Sequence, residues 1–122
     1  MIDLQPNALI YIATPYSRYR AGITAAFGDA AALAAELLKR GINVYSPIVH
    51  THPIAIHGGI DPVDHGIWLP FDAVMITKAD ALLVAKMDGW EESFGIEHEI
   101  DEFKKAGKPI YYLEPTTMEI VE

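Results

Sequence analysis

The chain has 122 residues, 51% hydrophobic and 21% charged, with no cysteine and a net charge of −8. Such a length and apolar fraction predict a single packed domain, 1–122, and exclude a disordered chain, while the missing cysteines exclude disulfides, thiolate catalysis and cysteine-rich zinc sites. The acidic balance argues against polymeric nucleic acid as a partner, though not against a small anion held by a local field, and no apolar run reaches the roughly 18 residues of a membrane span.

The opening "MIDLQPNALIYIAT" lacks a basic leader region and reads as the approach to a strand, so a cytoplasmic protein is expected. "ALIYIAT" (Ala8–Thr14), stopped by Pro15, is the first strand. Ile23, Phe27, Ala30, Ala34, Leu37 and Leu38 then recur at helical spacing, with Lys39 and Arg40 in the last turn and Gly41 as the stop. "INVYSP" (Ile42–Pro47) is the second strand. Proline, glycine and histidine crowd the stretch from Ile48 to Pro70, which reads as a long loop holding at most one short helix. Trp68, Phe71 and Met75 predict a helix over about Pro70–Lys78. "ALLVAKM" (Ala81–Met87) is a third strand, apolar throughout as a central parallel strand must be. A loop through Trp90 leads to a helix over about Ser93–Ala106, buried along Ile96, Ile100 and Phe103 and ended by Gly107. "PIYYLEP" (Pro109–Pro115) is the fourth strand, and a short tail follows.

Alternation of strands and helices implies an α/β fold: a three-layer, Rossmann-like or flavodoxin-like doubly wound parallel sheet of about four to five strands. Ligands of such sheets bind beyond the carboxyl ends of the strands. Four segments therefore line the expected site: Thr14–Arg20, Ser46–His52, Lys86–Glu99 and Glu114.

Within them, Glu99 falls about 60° from the buried stripe of its helix, at the margin between core and solvent. Glu97, Asp101 and Glu102 read as a solvated face. Ser93 is a helix N-cap, and "SFG" at a helix start is also an anion site through its free amides and Gly95. Asp72, early in its helix, suits the dipole there as well as it suits chemistry. Arg18 and Arg20 follow the first strand, where a guanidinium can grip phosphate. Lys39, Arg40, Lys104, Lys105 and Lys108 are accounted for by helix C-termini. The five histidines show no HExxH spacing, so no metal or other cofactor is expected, and His50 or His52 reads better as a ligand contact.

Together, "YIATPYS", "FDAVMITKADALLVAKMDGWEESFGIEHEI" and "AGKPIYYL" resemble the nucleoside 2-deoxyribosyltransferase superfamily, which includes N-glycosidases acting on nucleoside 5′-monophosphates. The resemblance covers most of the chain outside about Thr51–Gly66. It implies Glu99 as nucleophile at the anomeric carbon, Asp72 as the acid that handles the proton of the departing base, and Tyr11 as the residue orienting Glu99. It places Ser93 where transferases of free nucleosides tend to carry an acid and monophosphate hydrolases a serine. A serine beside free amides accepts phosphate; a carboxylate would repel it. The implied activity is hydrolysis of a nucleoside 5′-monophosphate, with base exchange on deoxynucleosides or nucleotide binding without cleavage as alternatives. Ser17, Arg18, Arg20, His50 and Gly95 are expected around the substrate, and Trp68 or Trp90 against the base. A homodimer or larger homo-oligomer is expected by the same resemblance.

Overall fold

The structure, a computed structural model, describes residues 7–122. Residues 1–6, on which part of the reading of the N-terminus falls, lie outside the described residues. The elements are β1 (Ile10–Ala13), α1 (Ile23–Lys39), β2 (Val44–Tyr45), α2 (Pro47–Gly58), α3 (His65–Lys78), β3 (Ala81–Ala85), α4 (Phe94–Lys105), β4 (Ile110–Glu114) and β5 (Glu119–Val121). A turn of 3₁₀ helix at Trp90–Glu92 leads into α4. The sheet has the order β2-β1-β3-β4-β5. Its first four strands are parallel and β5 runs antiparallel to β4, so the segment expected as a tail completes a five-stranded α/β sheet of the Rossmann-like kind.

Side chains alternate across a strand, and β1 uses this to divide the core. Ile10 and Ile12 join Leu33 and Leu37 of α1 on one face of the sheet. Tyr11 and Ala13 point the other way, to Ile76 of α3 and to Ile96 and Phe103 of α4. The two layers of helix are therefore α1 on one side and α3 with α4 on the other. Tyr11 is committed to the α3–α4 side by its parity alone. Among the described residues no helix is long and apolar enough to cross a membrane.

The stretch Ile48–Pro70 departs from the sequence reading. It forms most of α2 and the first turns of α3, not a long loop. Ser46 caps α2 by accepting from the Val49 amide at 3.3 Å, and Pro47 opens it at a position where a missing N–H costs nothing. Gly59, in the left-handed region at φ 71°, ends it. Asp64 then caps α3 by accepting from the Gly66 amide at 3.1 Å. Pro53 and Pro70 lie inside these helices, and treating proline as a stop or a start hid α2 and the first turns of α3, whereas the part from Pro70 to Lys78 was expected.

Candidate active site

In the order β2-β1-β3, the chain leaves β1 in one direction and returns to its other side as β3. The crevice beyond the ends of β1 and β3 is the switch point at which such sheets bind ligands. A cleft of about 100 Å³ lies there. Its walls are Thr14, Tyr16 and Ser17 after β1, Thr51 of α2, Trp68 and Asp72 of α3, and Ser93, Gly95 and Glu99 of α4.

Two carboxyl groups from different helices meet in this cleft. Ser93 caps α4 by accepting from the Ile96 amide at 3.3 Å, which fixes the phase of the helix. Ile96 and Phe103 then bury against the sheet and carry Glu99 inward until only 8% of it is exposed. Glu97 and Asp101 remain in solvent on the far side. Asp72 reaches the same space from the second turn of α3, half-buried. The raised pKa values of the two groups have a common first cause. Burial, opposed by the Tyr11 hydroxyl and reinforced by the charge of Asp72, pushes Glu99 up to about 8. Burial pushes Asp72 up to about 6.

The order of these values matters for the chemistry. A protonated Asp72 beside an ionised Glu99 is what the family resemblance implies. In the protein by itself the more deeply buried Glu99 is the stronger proton holder, and Asp72 ionises first. Between the two values the pair carries one proton.

Around the pair, polar atoms stand without partners. The Tyr11 hydroxyl lies beside Glu99 and favours its ionised form, yet no hydrogen bond of regular geometry closes between them. Tyr11 Oη, Tyr45 Oη, Thr14 Oγ1 and Asp72 Oδ1 are all buried with no hydrogen-bond partner in the protein. Burial, with the charges of Glu99 and Asp72, holds the Tyr11 hydroxyl far above the ordinary phenol range, and Tyr45 is shifted the same way. So neither tyrosine is a base here; each is a neutral donor. Buried polar groups are nearly always paired; of these four residues, Thr14 and Asp72 belong to the cleft wall, while Tyr11 and Tyr45 are not part of it.

The structure brings Tyr11, Asp72, Glu99, Ser93, Gly95 and Ser17 together. It does not bring the other expected contacts to the cleft. Arg20 is 88% exposed and pairs with Asp88 at 3.6 Å. Arg18 is exposed and forms no part of the wall. His50 is exposed, its ring 5.6 Å from Phe71 and 6.2 Å from Tyr45. Trp90 packs edge-on against Tyr112 at 5.9 Å, beside the α4 core. Trp68 does line the cleft, with its indole N–H donating to the Asp61 carbonyl at 2.9 Å. Thr14, Tyr16, Thr51 and Phe94 are wall residues within the expected segments that were given no role of their own, and His65, stacked on Phe94 at 4.7 Å, lies outside those segments. Position directly after β1 was the available signal for Thr14 and Tyr16. Among the described residues, no three His, Asp or Glu side chains are placed to hold a metal ion.

No curated protein matches the chain. A family model, described as "Domain of unknown function (DUF1937)", matches residues 8–114, from the approach to β1 through the end of β4, and so spans every residue of the cleft. The chain belongs to the DUF1937 family.

Proposed function

We propose that this protein cleaves the N-glycosidic bond of a nucleoside 5′-monophosphate. The observation that carries the reading is the meeting of Asp72 and Glu99, from two helices, in a cleft at the switch point of the sheet. Departure of a base from C1′ passes through an oxocarbenium-like state, which a carboxylate stabilises and an acid assists. In the proposed reaction a Glu99 oxygen bonds to C1′ as the C1′–N bond breaks. The bonding pair goes to the base nitrogen, which takes the proton from Asp72. Water then attacks C1′, returning its proton to Asp72, and releases Glu99 as carboxylate. One shared proton serves this cycle: growing positive charge at C1′ favours Glu99 in its ionised form, so the proton passes to Asp72 as the bond breaks.

The same cleft carries groups suited to a phosphate. Thr14, Ser17 and Ser93, all with hydroxyls, belong to its wall. The Ile96 and Glu97 amides are used within the cap, whereas those of Phe94 and Gly95 are first-turn donors with no partner in the helix. At about 100 Å³ the cleft is smaller than the ~300–1,000 Å³ of most small-molecule sites, so nucleotide entry requires its mouth to widen. The connection between α2 and α3 suits that motion. Its hydrogen bonds, Ile60 to Ala55, Val63 to Asp61 and Trp68 to Asp61, run within the segment. The His65–Phe94 stack joins the start of α3 to α4.

A panel of ribo- and deoxyribonucleoside 5′-monophosphates, with their nucleosides, tests the reading by chromatography of released base. Release from at least one monophosphate is expected. Binding of several members with cleavage of none would replace the enzyme with a nucleotide-binding module, and release only when a second base is supplied would make it a transferase. The pair of carboxyl groups also predicts a bell-shaped dependence of kcat/KM on pH. Activity needs one proton on the pair, so the limbs should fall near the two values of about 6 and about 8. A profile flat across that interval would remove the pair from the mechanism.

A further inference from the structure

Behind the cleft wall lies a histidine that the reaction above does not use. His52 of α2 is only 6% exposed. Its ring stacks on Phe27 of α1 at 4.7 Å and meets Tyr16 edge-on at 5.6 Å. The Tyr16 hydroxyl is 2.5 Å from His52 Nδ1, and Tyr16 itself lines the cleft beside Thr14 and Ser17. A buried imidazole is thus bonded to a hydroxyl of the cleft wall, in the segment that also supplies Thr14 and Ser17. Helix α2 packs mainly on α1 and β1, and its His50 also meets Tyr45 of β2 and Phe71 of α3. From them His52 meets Phe27 and, just past β1, Tyr16, the titratable group among these contacts of the described residues.

This two-member chain has two arrangements. When His52 is neutral and protonated at Nε2, Nδ1 accepts from the Tyr16 O–H, and the tyrosine offers the cleft only lone pairs. When His52 carries both protons, Nδ1–H donates to the tyrosine oxygen, and the Tyr16 O–H is freed to donate into the cleft. An anion selects the second arrangement, through the new hydrogen bond and through the positive charge behind it. An uncharged sugar hydroxyl, which can donate, is served by the first.

We propose that His52 is a positioning residue which takes up one proton when a phosphate-bearing ligand binds and thereby turns Tyr16 from an acceptor into a donor. The proton comes from solvent and goes to Nδ1; tyrosine keeps its own, and no other bond changes. The inference rests on the nucleotide reading of the site. It adds a device that separates monophosphate from nucleoside without an arginine, in a cleft that neither Arg18 nor Arg20 lines.

Titration calorimetry in two buffers of different ionisation heat, repeated across neutral pH, reads the proton directly. The probes are 2′-deoxyguanosine 5′-monophosphate, its nucleoside and ribose 5-phosphate, on Glu99→Gln protein so that nothing turns over. Proton uptake approaching one per phosphate-bearing probe is expected, and none with the nucleoside. Tyr16→Phe keeps the ring packing and should abolish the uptake, weakening the phosphate probes about tenfold and clearly more than the nucleoside, which loses one neutral acceptor. His52→Gln should do the same, its fold checked by thermal melting. Uptake that survives Tyr16→Phe, equal weakening of monophosphate and nucleoside, or failure of every phosphate-bearing probe to bind would each overturn the proposal. Base release by the parent protein is scored separately. Uptake without cleavage removes the glycosidase and keeps the switch, and cleavage without uptake does the reverse.

Discussion

Glu99→Gln is expected to abolish base release and, at alkaline pH, to make the protein more stable than the parent. Loss of a nucleophile from a site that acts as a unit lowers kcat by roughly 10³-fold or more. The gain in stability follows from linkage. Glu99 is raised from 4.5 to about 8 in the folded protein, first by burial. Folding therefore favours its protonated form: the contribution is fully present below about 4.5 and is lost as pH rises through about 8. Because the group is almost wholly buried, that loss is on the order of 3–5 kcal/mol. Glutamine has the shape of the acid and no charge to bury, so the variant should lack this part of the slope. Asp72, raised from 3.8 to about 6, leaves a shallower decline in both proteins at lower pH. Urea unfolding at about pH 5, 7 and 9 checks the claim. Parallel pH dependence of parent and variant would mean that Glu99 titrates as an exposed acid, which would also remove it as the buried nucleophile.

Lys108→Met is the substitution with the largest expected loss of stability. The Lys108 ammonium donates to three backbone carbonyls at the end of α3: Ile76 at 2.8 Å, Thr77 at 3.0 Å and Ala79 at 2.7 Å. It also lies 5.9 Å from the centroid of the Phe103 ring. Three donors on one tetrahedral nitrogen match three converging acceptors, and the charge compensates the negative end of the helix. Methionine keeps the length of the stem but leaves the carbonyls without a donor, at a cost of about 3 kcal/mol or more. Arginine restores the charge, but its planar fork cannot meet three acceptors grouped around a point, so Lys108→Arg should recover only part of the loss. The cleft is at the other end of α3. Residual folded protein should therefore keep its KM, and a large KM change would show that α3 shifts as a body when its far end is released.

Lys108 also shows where reading a sequence stops. Its role as a cation at a helix C-terminus was legible from the cluster of basic residues near Gly107. That the helix is α3, about thirty residues earlier, was not, because only the pairing of β3 with β4 brings the start of β4 beside the end of α3. The same division runs through the fold. The apolar run at Ala81–Ala85, the buried stripe of α4 and the stop at Gly107 are local patterns, and they place strands and helices without any knowledge of neighbours. Helix α3 carries no such pattern in its outer half. Ile67 and Val74 are exposed although apolar, so hydrophobic residues lie on more than one side of the helix and blur its buried face. With Pro53 and Pro70 inside helices as well, α2 and the first turns of α3 were hidden.

The sequence by itself determined an α/β sheet, the end of the sheet at which the cleft lies, and the position of Glu99 at the margin of a buried stripe. Each follows from periodicities of two and 3.6 residues and from capping residues, which act over a few positions. Tertiary structure decided that Asp72 shares a cleft with Glu99, that the more buried of the two holds the proton, that Tyr16 is backed by His52, and that the two arginines stay outside. These are relations between segments far apart in the chain. Desolvation and the approach of one charge to another exist only once the helices have packed, so no local pattern encodes them.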